Sequence, residues 1–115
     1  MGADELWVLI LFLLAGLIYL ICGAIFYKVS PKKINYFVGY RTRRSMNDQR
    51  SWDFAQKYSA RLMVFAGIVS MAMGLSFWMV FPDDVMVACI VMIPQLAMII
   101  PVIAFTEVKL KRMQQ

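Results

Sequence analysis

Leu6–Tyr27, LWVLILFLLAGLIYLICGAIFY, runs for 22 residues without a charge. At 1.5 Å of helical rise per residue, a segment of that length crosses a hydrocarbon layer of about 30 Å. Leu62–Phe81 (LMVFAGIVSMAMGLSFWMVF, 20 residues) and Val85–Thr106 (VMVACIVMIPQLAMIIPVIAFT, 22 residues) repeat the pattern. A secretory signal carries basic residues before a shorter apolar core, whereas Asp4 and Glu5 precede the first run, so it is read as a span. The 115 residues are 62% apolar and 17% charged, against roughly 45–50% and about 25% in soluble domains. The expected fold is all-α: one integral membrane domain over 1-115, with three transmembrane helices at about 6-27, 62-81 and 85-106 and a polar segment, 28-61, that carries an amphipathic helix.

Charge fixes the expected orientation. Lys28, Lys32, Lys33, Arg41, Arg43, Arg44, Arg50, Lys57 and Arg61 lie between the first two runs, and Lys109, Lys111 and Arg112 follow the third, which accounts for all twelve basic residues. Basic residues stay on the cytoplasmic side during insertion, so the N-terminus is expected outside and the C-terminus in the cytoplasm. Trp7 and Trp78 fall at the outer interface, and Tyr27 and Tyr58 at the inner one. Pro82-Asp83-Asp84 leaves room only for a tight antiparallel turn, with Pro82 ending one helix and Asp83 or Asp84 capping the next.

Composition narrows the chemistry. The chain has no histidine, which removes imidazole triads, proton shuttles and His-ligated metals; no metal, no other cofactor and no enzymatic activity are expected. Cys22 and Cys89 sit about 24 Å and about 6 Å from the outer edge of their spans. They cannot bridge across that difference in depth and are read as small buried hydrophobes. The basic segment adjoins spans on both sides and its sign follows from topology, so nucleic acid is not an expected partner.

Within 28-61, Pro31 stops the first span and Asn35-Tyr36-Phe37-Val38-Gly39-Tyr40 reads as an aromatic loop with a glycine free to take positive φ. Ser45-Met46-Asn47-Asp48 fits a capping box, which predicts a helix from near Ser45. Trp52, Ala55, Tyr58, Ser59 and Leu62 recur at helical intervals, giving an amphipathic stretch expected to lie on the membrane, with Asp53 and Lys57 able to pair across one turn. A duller reading makes Trp52 and Tyr58 simple interfacial anchors.

The run Asn35-Tyr36-Phe37-Val38-Gly39-Tyr40-Arg41-Thr42, followed by Ser45, Trp52, Ala55 and Tyr58, resembles the signature of the SdpI/YfhL family of small bacterial membrane proteins. The order of spans extends the likeness over most of the chain, as a short, three-span member. That resemblance implies a bacterial plasma membrane location and a role in immunity to a secreted antimicrobial peptide toxin. It also implies, as in the family's namesake, membrane sequestration of a cytoplasmic repressor through the basic segment. The candidate ligand-binding residues are Asn35, Gly39, Tyr40, Arg41, Thr42, Trp52 and Tyr58. Among them Arg41 is the first choice, because a guanidinium among aromatics can hold a lipid phosphate or peptide carboxylate with two N–H groups. Enforcing topology and attracting anionic headgroups would explain Arg43 and Arg44 equally well.

Inside the spans, Gln95 and Ser70 are expected to meet near the midplane, as a substrate site or as glue between helices. Pro94 and Pro101 should free the carbonyls of Ile90 and Ala97. Ala66, Ser70 and Gly74 make a small-residue face for close helix approach, within the hairpin or between copies in a homo-oligomer. Seven methionines in the last two spans (Met63, Met71, Met73, Met79, Met86, Met92 and Met98) suit either packing or an adaptable surface for an apolar peptide. A peptide-binding protein is the leading expectation. A small transporter or channel subunit is the alternative, although no span holds the carboxylate that proton-driven exporters use.

Overall fold

The computed structural model describes residues 2–37 and 39–114, with the side chain of Asp4 left out. Four helices follow one another: α1 Ala3–Lys28, α2 Gln49–Val80, α3 Val85–Ala97 and α4 Ile99–Met113. No strand occurs among the described residues. Three segments are long and apolar enough to cross a membrane: Glu5–Lys28, Gln49–Val80, and Val85–Met113, which is α3 and α4 together. The molecule is 52 Å long and 24 × 19 Å across, the shape of helices standing side by side. Most of the large apolar side chains of the spans point outward, Ile10, Ile21, Phe65, Ile90, Ile93 and Phe105 among them. In lipid that surface is solvated, so the helices need no large common core.

Small residues decide how α1 meets α2. A Cβ on Gly67 would lie 2.8 Å from Leu20 N and 2.9 Å from Gly16 O, and one on Gly23 would lie 2.9 Å from Ala60 O. The Phe12 carbonyl presses on Gly74 in the same way. Gly16 and Gly23 on α1, and Ala60, Gly67 and Gly74 on α2, therefore form two facing strips at seven-residue spacing, which bring the backbones close along most of the pair. Of the expected Ala66/Ser70/Gly74 face, Gly74 belongs to this strip, while Ala66 borders a groove against α4. Toward the Trp7 end, Val8 and Phe12 pack with Ala88 and Val91 of α3.

Three local expectations change. Helix α2 starts at Gln49, not Ser45, because Asp48 is the cap: its carboxylate accepts from Ser51 N at 2.7 Å. Ser45 instead closes the preceding turn, its hydroxyl accepting from Thr42 N at 2.8 Å and donating to the Tyr40 and Thr42 carbonyls. The amphipathic stretch is the first part of an unbroken 32-residue helix, in line with the span and not turned aside onto the membrane. With no proline or glycine before Gly67, nothing in it provides a kink. Finally, Lys57 does not pair with Asp53. It reaches across to donate to the Tyr27 carbonyl, and Asp53 accepts from Gln49 Nε2 at 2.8 Å.

The third span is broken at Met98, one turn before Pro101. Lacking an N–H and colliding with the carbonyl four residues back, Pro101 cannot continue the ladder there. The carbonyls taken up by another helix are those of Gln95 and Leu96, not Ile90 and Ala97: both lie 2.9 Å from the Tyr19 hydroxyl of α1, which donates to them. Gln95 itself donates from Nε2 to Phe12 O and Ser70 O, both at 3.0 Å. One amide thus ties all three spans together. The turn between α2 and α3 is as read, with Asp84 rather than Asp83 capping α3 through Val87 N.

Candidate functional site

Before the break at Met98 the third span packs on α1, and past it no close approach of the α4 and α1 backbones occurs among the described residues. Between them opens a crevice of about 370 Å³. Phe26, Met63, Ile99, Val102 and Ile103 supply apolar wall, and the loop Gly39-Tyr40-Arg41-Thr42 forms one end. It lies at the end of the molecule that carries the basic residues.

The loop is held from two sides. Gln56, fully buried on α2, accepts from Tyr40 N through Oε1 at 2.8 Å and donates through Nε2 to Tyr40 O at 2.8 Å. Gly39 makes this approach possible: its φ is +102°, and a Cβ there would lie 2.9 Å from Pro31 Cγ and also collide with Gln56 Oε1. From the other side, the Tyr40 hydroxyl donates to Glu107 Oε1 of α4 at 2.8 Å. Arg44 completes the bridge, its Nη1 lying 3.2 Å from Glu107 Oε2. This is the only ion pair among the described residues. Burial, then the neighbouring Glu107 carboxylate, push the Tyr40 phenol well above its ordinary pKa of 10.0, so it stays a donor at neutral pH.

Of the candidate residues, Gly39, Tyr40, Arg41 and Thr42 come together at the crevice. Arg41 is exposed and donates from Nη1 to Tyr36 O, while the Thr42 hydroxyl accepts from Ser45 N. Trp52 is fully buried behind the loop and donates from Nε1 to Pro31 O at 2.8 Å, so it is a peg that holds the chain leaving α1. Asn35 makes a local turn, accepting from Phe37 N and donating to Lys33 O. Tyr58 stacks on Phe54 at 5.1 Å and does not line the crevice. Val38 lies outside the described residues.

Gln56 and Glu107 were not legible as site residues. Gln56 shares a helical face with Trp52 and Ser59, and Glu107 is the sole acid after the third run among Lys109, Lys111 and Arg112. Those were the available signals.

Comparison with known proteins places the chain among relatives. The model of the SdpI/YfhL protein family matches residues 32–105. All the crevice-lining residues except Phe26 fall inside that stretch. A protein of Bacillus subtilis (strain 168) described as uncharacterized protein YfhL is 49% identical over 63 residues, which cover 55% of this chain and 57% of that protein. The chain thus spans under two thirds of that relative's length. No solved structure matches.

Proposed function

We propose, from the premise that the chain belongs to the SdpI/YfhL protein family, that this multi-pass membrane protein binds the apolar segment of a membrane-active peptide in the crevice at its basic end, and so protects a bacterium against a peptide toxin. The supporting observation is convergence: the motif loop, brought in by Gln56 and tied by Tyr40 to Glu107, ends at an apolar crevice within a lipid-facing bundle. A volume of about 370 Å³ falls in the ordinary range of ligand sites. Apolar walls suit large aliphatic or aromatic side chains, and the exposed Arg41 fork has N–H donors to spare for a carboxylate at the rim. Under the positive-inside rule the crevice belongs to the cytoplasmic leaflet, with the N-terminus outside. Capture would then follow insertion of the peptide. The exposed Lys32, Lys33, Arg43 and Arg50 of the same segment would offer a soluble repressor a positive surface.

The test is survival of a sensitive strain under challenge with a panel of membrane-active antimicrobial peptides, with expression checked by immunoblot. The parent should protect against at least one of them. Met63→Trp, which fills the crevice, should abolish that protection, and Arg41→Lys, which keeps the charge but loses the planar fork, should weaken it. Absence of protection by the parent, or equal protection by Met63→Trp, overturns the reading.

A further inference from the structure

A second site lies on a different face, where the end of α1 meets α2, and it shares no lining residue with the crevice. Two hollows adjoin there at Lys28. One, about 310 Å³, runs along Ala24, Tyr27 and Val64 and is almost wholly apolar; the other, about 200 Å³, is bordered by Ser30, Lys32 and Lys57 and, on one side, by Asp53. Lys57 Nζ lies 4.8 Å from the centre of the Tyr27 ring, and the Arg61 guanidinium carbon 5.7 Å from it. Lys57 and Arg61 thus stand over one interfacial tyrosine, Lys28 lines both hollows, and Lys32 borders the second, four cations in all. The one acid nearby, Asp53, accepts from Gln49 and ion-pairs with none of the four.

We propose that this place is a binding site for an anionic phospholipid. Its phosphodiester sits among Lys28, Lys57 and Arg61, and an acyl chain lies in the Ala24/Val64 groove. The match is one of charge and of amphiphilic order: cations without carboxylate partners stand at the level where the uncharged run ends, and an apolar channel leads from them into the span. Of the last-turn carbonyls of α1 that would repel a phosphate, Lys57 covers Tyr27 O and the Ser30 hydroxyl covers Phe26 O. A zwitterionic lipid would bring an ammonium among four cations, which selects against it.

Native mass spectrometry of the purified protein, titrated with phosphatidylglycerol or phosphatidylcholine, measures this directly. Phosphatidylglycerol should be retained preferentially. Lys28→Gln combined with Arg61→Gln should weaken its retention by roughly thirtyfold, the scale of losing two basic contacts to an anionic headgroup. Lys109→Gln with Lys111→Gln, an equal loss of charge elsewhere, should leave it unchanged. Ala24→Phe, which fills the groove from an exposed position, should reduce retention without altering charge; its fold is checked by its melting temperature. Equal retention of the two lipids, equal loss in both double variants, or displacement of the lipid by inorganic phosphate at comparable concentration would each overturn the proposal.

Discussion

Gln56 holds the loop with one side chain, offering the Tyr40 peptide both an acceptor and a donor as a neighbouring strand would. Replacing it with leucine leaves the Tyr40 N–H without that acceptor, at a cost of about 2 kcal/mol, measured by denaturant unfolding in micelles. Stability equal to the parent would mean that the clamp contributes nothing net. Tyr40 makes a pH-dependent contribution. Its pKa is raised in the folded protein, so its stabilisation is complete below pH 10.0, the ordinary phenol value, and is lost as pH rises beyond it. Alkaline titration followed by phenolate absorbance should show Tyr40 ionising late, and Tyr40→Phe should remove its share of the late component and flatten the loss of stability above pH 10. Aromatic and basic residues in this loop were readable as a motif. That Trp52 faces inward and Tyr58 does not reach the crevice was not, because helical spacing names faces without saying what covers them.

Among elements, the α1–α2 pair depends on contact between backbones. Gly67→Leu places a side chain where Leu20 N and Gly16 O already stand, and should cost about 3 kcal/mol or prevent folding. Gly2→Leu is the control, since nothing lies within 4 Å of a Cβ there; equal melting temperatures for the two variants would contradict the packing. The break at Met98 is secured by Tyr19, and Tyr19→Phe should destabilise by about 1 kcal/mol, within the range of hydrogen bonds between membrane helices. An unchanged unfolding free energy would assign the break to Pro101 alone. Pro94 and Pro101 announced an irregular span, but which carbonyls a neighbour would take depended on where Tyr19 arrives from α1. Gln95 and Ser70 do meet, through the Gln95 amide and the Ser70 backbone carbonyl, while Ser70 Oγ and Gln95 Oε1 have no partner among the described residues.

For the whole molecule, twelve basic residues gathered at one end predict that a cysteine at Gly2 reacts with a membrane-impermeant thiol reagent in intact cells while one at Lys111 does so only after permeabilisation. The reverse pattern would invert the orientation. The sequence by itself determined the three spans, the gathering of charge, the tight turn at Pro82-Asp83-Asp84 and the family motif. These are local quantities: transfer of an apolar run into lipid and the sign of its flanks do not depend on what the run packs against. Only the tertiary structure decided that α2 runs unbroken from Gln49 to Val80, that α4 leaves α1 to open a crevice, and that Glu107 closes on Tyr40 across 67 residues of chain. The last two follow from how closely glycine strips let two helices approach and from which polar groups then come within reach, distances that exist only once the helices are side by side.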